Sequence, residues 1–140
     1  MSRTAFTFGV DHLQLPVARG ALGTARQFYE GHLGLTEVRD PALDRLGTLR
    51  FALGAQRLDL VESDQVAISP HAHLALRVIG VDALADELRG VGIPVDDAPL
   101  TDRPRIYVID PFGHRLELIE ASAPSNPTRK EDAHATAVGG

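Results

Sequence analysis

The chain has 140 residues, a net charge of −5 and 44% hydrophobic residues, as expected for one soluble globular domain with a sizeable core. The acidic balance argues against nucleic acid as a partner, and no apolar run approaches the roughly 18 residues of a membrane span. Residues 1–8 lack the apolar core of a secretory signal, so we expect a cytoplasmic protein. The absence of cysteine excludes disulfides and thiolate chemistry.

The first half of the chain is predicted to contain one strand, one helix and three more strands. Alternating polarity predicts a strand at residues 10–17, followed by a loop at residues 19–23. Thr24 is predicted to cap a helix that runs from Ala25 to about Leu33 and ends at Gly34. Its predicted apolar face is Ala25, Phe28, Tyr29 and Leu33. The three strands are predicted at residues 36–39, 49–53 and 56–62.

The second half is predicted to repeat this order of elements. A strand at residues 73–78 precedes a helix that Asp82 caps and that ends at about Val91, before Gly92 and Pro94. Further strands are predicted near Val95 and at residues 105–109 and 115–120, with a turn at residues 110–113. The α+β domain, residues 1–122, therefore has two βαβββ modules, at about 8–62 and 70–120. Residues 123–140 are predicted to be a disordered tail.

Two short sequence matches support a duplication. His12-Leu13-Gln14-Leu15-Pro16-Val17 shares four of six residues with the segment that begins at His73, and residues 57–62 share four of six with residues 115–120. The separations, 61 and 58 residues, are nearly equal, which indicates two fused modules rather than a solenoid.

Strand alternation places four possible metal ligands at equivalent positions of the two modules. His12 and Asp59 belong to the first module, and His73 and Glu117 to the second. The leucines next to them point to the opposite face and are predicted to pack under the helices: Leu13, Leu15, Leu74, Leu76, Leu116 and Leu118. A lone histidine on a strand is more often structural than a ligand, but its recurrence in both modules favours a shared site.

The chain resembles the vicinal-oxygen-chelate superfamily of glyoxalase, bleomycin-resistance and extradiol-dioxygenase domains. The resemblance covers about residues 8–120 and rests on Val10-Asp11-His12-Leu13, residues 25–35, residues 72–76 and residues 110–120. It implies two half-barrel sheets and one divalent ion, of zinc, nickel, cobalt, manganese or iron, held by His12, His73 and Glu117. Asp59 matches the remaining ligand of glyoxalase I but is one methylene shorter than a glutamate. It either binds directly, binds through water or leaves that position open.

Further side chains are candidates for roles at this site, Tyr107 by the resemblance and the others by their chemistry and their position on the strands. Glu117 or Asp59 would serve as the base, and Tyr107 would donate a hydrogen bond to the substrate, although a structural tyrosine is an equal alternative. Arg105 would anchor a substrate carboxylate or phosphonate, or else pair with Asp102. Gln14 would line the pocket. Arg57, Arg77 and Arg115 are expected at strand ends in solvent, and four histidines are not expected as ligands: His32, His71, His114 and His134.

Several functions stay open within this family. The first is a glyoxalase-like lyase or isomerase that acts on a small oxygen-chelating substrate through an enediolate-type intermediate. The second is antibiotic resistance, by a fosfomycin-type thiol transferase or hydrolase, or by a metal-free bleomycin-binding protein; the intact His/His/Glu set argues against the metal-free binder. An extradiol dioxygenase ranks lower because it usually carries two such domains. The resemblance further implies a homodimer, with modules paired within or between chains.

Overall fold

The fold consists of two four-stranded sheets, each built from one half of the chain. The computed structural model describes residues 4–42, 44–97 and 103–121. The first sheet contains β1 (His12–Ala18), β2 (Thr36–Glu37), β3 (Thr48–Leu53) and β4 (Gln56–Ser63). The second sheet contains β5 (His73–Val78), β6 (Asp96–Asp97), β7 (Arg105–Ile109) and β8 (Arg115–Glu120).

Both sheets have the same topology. The strand orders are β1-β4-β3-β2 and β5-β8-β7-β6, and in each sheet the first and last strands of the module pair in parallel while the other pairs are antiparallel. The α+β class with two βαβββ modules is therefore confirmed. The predicted tail at residues 123–140 lies outside the described residues.

Both helices begin earlier than predicted. Helix α1 (Leu22–Arg26) starts directly after Ala21, so the predicted cap at Thr24 is wrong. The amide of Ala21 donates to the carbonyl of Ala18 at 3.2 Å, so the chain has already turned after β1 and helical bonds begin at once. Helix α1 continues as a π-helical segment (Gln27–His32). Helix α2 (Val81–Gly90) follows Gly80 and not Asp82.

The predicted helix ends are confirmed. Gly34 and Gly92 have φ angles of 75° and 81°, a left-handed conformation that costs glycine little. These two positions turn the chain from each helix towards the next strand.

One hydrophobic core joins the two modules. Ala25, Phe28 and Tyr29 are buried, as the helical pattern predicted, and Leu33 packs against the core. The leucine row is buried at Leu116 and Leu118. Leu13, however, keeps 39% of its surface exposed, because it lies near the start of the edge strand β1.

Buried polar contacts connect the modules. The hydroxyl of Tyr29 donates to Asp110 Oδ2 at 2.5 Å. Burial raises the pKa of this hydroxyl, and the negative charge of Asp110 raises it further. Asp110 Oδ1 accepts from the amides of Phe112 and His114 at 2.9 and 2.8 Å. The ring of His114 lies with Nε2 2.6 Å from the carbonyl of Pro16 in β1. The turn between β7 and β8 is thus attached to the π-helical segment and to β1 of the other module.

The duplication is also visible in a repeated side-chain contact. Glu62 at the end of β4 accepts from the amide of Gly20 at 2.9 Å, and Glu120 at the end of β8 accepts from the amide of Gly80, also at 2.9 Å. In each module, the glutamate that ends the matched segment therefore accepts a hydrogen bond from a glycine amide that follows the first strand.

The ion pair between Arg26 and Glu37 predicts a pH-dependent contribution to stability. Arg26 donates to both carboxylate oxygens of Glu37 at 3.1 and 3.2 Å. Burial raises the pKa of Glu37, but the hydrogen bond from Arg26 has the larger effect and holds this pKa below the usual 4.5. This stabilisation is fully present above the unfolded pKa and is lost as the pH falls through the lower folded pKa. Glu37→Gln should therefore lower the free energy of unfolding by about 1 kcal/mol at neutral pH.

Urea denaturation at neutral pH and at about pH 3 measures this dependence. The destabilisation by Glu37→Gln should shrink in acid, and Glu87→Gln on the exposed face of α2 serves as the control. An equal loss at both pH values would rule out the ion pair as its origin.

Candidate functional site

The first module presents His12 and Asp59 on the face of its sheet opposite the helix. In the register of β1 and β4, Gln14 pairs with Asp59, so His12 lies two residues earlier on the same face. Asp59 is 6% exposed, and both its oxygens accept hydrogen bonds from Arg57, at 2.6 and 3.0 Å. Nδ1 of His12 lies 2.7 Å from Asp11 Oδ2, which leaves Nε2 for another partner.

The second module places His73 and Glu117 at the equivalent positions. Ala75 pairs with Glu117 in the register of β5 and β8, as Gln14 pairs with Asp59 in the first module. Nε2 of His73 lies 3.1 Å from Glu117 Oε2. The other carboxylate oxygen, Oε1, accepts from Arg105 at 2.7 Å and from the Tyr107 hydroxyl at 3.2 Å.

The surroundings of Glu117 favour its charged form. Burial by itself raises the pKa of this carboxyl, but hydrogen bonds from Arg105 and Tyr107 and the charges of Arg105 and His73 outweigh it. The net result is a pKa below the usual value for glutamate. Glu117 is therefore a buried anion in contact with an imidazole.

These residues fit a divalent ion of the transition series. Two ligands at about 2.1 Å from one ion and at right angles to each other lie about 3 Å apart, close to the His73–Glu117 separation. The contact between His12 Nδ1 and Asp11 matches the outer carboxylate that usually orients a ligating histidine. Imidazole and carboxylate are ligands that zinc, nickel, cobalt, manganese and iron(II) accept.

The two histidine–carboxylate pairs do not converge within one chain. Across residues 4–42, 44–97 and 103–121, no group of three or more His, Asp or Glu side chains is arranged to hold a metal. Each module thus presents one histidine and one carboxylate on the same face of its sheet, and these four side chains do not form one cluster within the described residues.

Three other side chains considered from the sequence lie in two different cavities or against an aromatic ring. Gln14 lines a cavity together with His12 and Arg57. The guanidinium of Arg115 lies 4.1 Å from the centre of the Tyr107 ring. Arg77 lines a different cavity, beside Leu13 and Leu53.

Of four further residues considered from the sequence, the structure describes two, His71 and His32. His71 is exposed, and His32 stacks edge-on to the Phe28 ring. Asp102, the alternative partner of Arg105, and His134 lie outside the part of the chain that the structure describes.

Arg50 and His114 were missed by sequence reasoning. Arg50 lies on β3 opposite Asp59 and is only 6% exposed. The available signal was its position between Leu49 and Phe51, which are both buried, so that strand alternation turns Arg50 to the face of Asp59. His114 was assigned to a turn, and no local pattern revealed its contact with Pro16 in the other module.

Two sheets of identical topology, each with a histidine and a carboxylate on one face, define a duplicated βαβββ protein. The chain belongs to the Glyoxalase/Bleomycin resistance protein/Dioxygenase superfamily, whose family model matches residues 9–118. The family predicted from the sequence motifs is thus confirmed. No helix in the described residues has the length and apolarity needed to cross a membrane.

Several solved structures have a similar fold. A Bacillus anthracis protein provisionally assigned to the glyoxalase family is 32% identical, with a TM-score of 0.76 over 86% of this chain and 100% of that chain. The fosfomycin resistance protein FosX of Listeria monocytogenes is 19% identical, with a TM-score of 0.68 over 84% of this chain and 96% of that chain. Lactoylglutathione lyase of Agrobacterium tumefaciens is 22% identical, with a TM-score of 0.63 over 81% and 93%. The curated proteins contain no match.

Proposed function

We propose that the chain is a metal-dependent enzyme, a lyase or isomerase of glyoxalase type, acting on a small substrate with two neighbouring oxygens. The observation that carries the proposal is the repeated histidine–carboxylate pair, with His73 and Glu117 in contact at 3.1 Å. The ligands would be His12, His73 and Glu117. Both oxygens of Asp59 are engaged by Arg57, which favours Asp59 as a base outside the coordination shell.

The side chains divide the remaining work between them. A bound divalent ion supplies Lewis-acid stabilisation of negative charge on the substrate oxygens. Asp59 takes a proton from the substrate carbon and returns it to the neighbouring position. With Glu117 bound to the ion, the Tyr107 hydroxyl would exchange its hydrogen bond to Glu117 for one to the substrate, and the guanidinium of Arg105 would favour an anionic group nearby.

We propose that the site is completed by a second copy of the chain. The first module of one protomer would supply His12 and Asp59, and the second module of its partner would supply the other pair. The separation of the two histidine–carboxylate pairs among the described residues supports this arrangement, which suits an isologous dimer because both contacts are then made twice.

Mixing inactive variants is expected to restore shared sites. His12→Ala and His73→Ala each remove a ligand from a different module, so a mixed dimer keeps one intact site. After unfolding and refolding together, roughly a quarter of the wild-type metal content should return. His73→Ala mixed with Glu117→Ala provides the matched control, because both changes damage the second module and no intact site can form. Absence of recovery in the first mixture would contradict sharing between chains.

The reaction class is tested by proton exchange. The protein is stripped with chelator, reloaded separately with zinc, nickel, cobalt, manganese or iron(II), and incubated in D2O with α-hydroxycarbonyl compounds and with hemithioacetals of 2-oxoaldehydes. Exchange or isomerisation that requires a metal and fails in Asp59→Asn would support the proposal. Failure of every reloaded form to bind metal would refute it and leave a binding protein.

A fosfomycin-type transferase or hydrolase is the second candidate. The observation that favours it is the cluster of Arg105 and Tyr107 around Glu117, which offers donors to a phosphonate. Loss of fosfomycin upon incubation with the manganese-loaded protein, with and without a thiol, distinguishes this candidate from the first.

A further inference from the structure

A cavity of about 550 Å³ on the first sheet is lined by more positive than negative side chains. Among the described residues, Arg45, Arg50 and Arg57 line it, and Asp59 is the acid among them. His12 and Gln14 lie along the same wall, so the cavity adjoins the histidine and the carboxylate of the first module.

The acid in the cavity is hydrogen-bonded to Arg57 and not to Arg50. Asp59 faces Arg50 across the β3–β4 register, but the fork of Arg57 occupies both of its oxygens. Arg50 instead donates to Asp44 Oδ1 at 3.0 Å. Asp44 belongs to the loop before β3, and its side chain is 48% exposed, whereas that of Arg50 is 6% exposed. The arginine side chain is thus buried, while the side chain of its carboxylate partner is about half exposed.

The lining of this cavity favours an anionic ligand. Among the described residues, the cavity lining has three arginines and one acid, Asp59, while Asp44 lies at the rim and the exposed Asp11 acts on Arg57 from outside the lining. A charge removed from water is unfavourable unless it is paired, and a concave surface of one sign concentrates counter-ions. The guanidinium fork of arginine matches two oxygens of a carboxylate.

The second module differs at the matching positions. Tyr107 pairs with Glu117 where Arg50 pairs with Asp59, and Arg115, the counterpart of Arg57, lies over the Tyr107 ring. Glu117 is contacted by Arg105, Tyr107 and His73 from its own module. An arginine directly opposite the carboxylate in the strand register is therefore specific to the first module, since tyrosine takes that position in the second.

We propose that Arg50, together with Arg45 and Arg57, forms a subsite for a carboxylate of the substrate, separate from the oxygens that reach the metal. The inference rests on the proposed metal-dependent function, since it names the substrate as an acid with a second anionic end. Arg50 at the base of the cavity binds this end, and the rim residue Asp44 exchanges its hydrogen bond for solvent when the carboxylate enters.

Two matched probes test the subsite on the metal-loaded protein. 2-Oxoglutarate has adjacent oxygens for a metal and a distal carboxylate, whereas 2-oxopentanoate has the same adjacent oxygens without it. Calorimetry should show 2-oxoglutarate binding on the order of tenfold more tightly to the wild type. Arg50→Met should make the two affinities equal by weakening the binding of 2-oxoglutarate, without weakening the binding of 2-oxopentanoate. Arg39→Met, on the exposed surface outside the cavity, should preserve the ratio.

A conservative variant covers the case in which Arg50→Met does not fold. Arg50→Lys keeps the charge but loses the fork, so the ratio should fall between those of the wild type and one. Equal affinities of the two probes for the wild type, or an unchanged ratio in a folded Arg50 variant, would overturn the subsite.

Metal-free protein separates this proposal from the proposed function. Glutarate has a carboxylate at each end but no adjacent oxygen to chelate a metal, and its binding should require Arg50. If glutarate binding depends on Arg50 while no metal is taken up, the subsite stands and the metal enzyme does not. Inorganic phosphate is the comparison ligand, and tighter Arg50-dependent binding of phosphate than of glutarate would overturn the assignment to a carboxylate.

Discussion

Glu117→Ala is expected to remove nearly all bound metal from the protein. Glu117 is the anionic ligand proposed in the second module, and it contacts His73 at 3.1 Å. Loss of an outer-shell partner alone typically lowers metal affinity by about 10–100-fold, so loss of a direct ligand should cost more. Elemental analysis of protein purified without chelator should give about one ion per chain for the wild type and near none for the variant.

Two further variants make this result interpretable. Glu117→Gln preserves the size of the side chain and one of its oxygens but removes the charge, so this variant should bind metal weakly. Glu87→Gln on α2 is the control and should bind metal like the wild type. Circular dichroism shows whether each variant is folded. A folded Glu117→Ala protein with full metal content would exclude Glu117 as a ligand and with it the proposed centre.

Asp110→Ala is expected to destabilise the protein by roughly 3 kcal/mol. The carboxylate is 4% exposed and accepts from the Tyr29 hydroxyl and from the amides of Phe112 and His114. Its removal leaves a buried hydroxyl and two amides without this acceptor and loosens the turn that His114 attaches to β1. Urea denaturation measures the change in the free energy of unfolding.

Tyr29→Phe is the matched control for Asp110. It removes one of the three hydrogen bonds and keeps the aromatic ring, so it should cost about 1–2 kcal/mol. Near-equal losses for the two variants would mean that the amides of the turn do not depend on Asp110. A negligible loss for Asp110→Ala would contradict the role of this contact in joining the modules.

The local patterns of the sequence determined the two modules and the strands that carry the candidate ligands. Strand alternation and the repeated His-Leu-x-Leu-x-Val segment predicted that His12 and His73 occupy equivalent positions, and the registers of β1 with β4 and of β5 with β8 make them equivalent. The helix starts were misplaced because capping residues are only a local preference, which the turn after β1 overrode. Strand periodicity is more reliable here because one face of each sheet has to be buried.

Contacts between distant segments were decided only by the tertiary structure. The hydrogen bond of Tyr29 to Asp110 spans 81 residues, and that of His114 to Pro16 spans 98. Neither pairing leaves a periodic signal in the chain. For Arg50, only its place on the face of Asp59 was readable from strand alternation. Its burial beside an acid already bound by Arg57 was not, because the balance of charge in a cavity depends on how separate strands and loops come together.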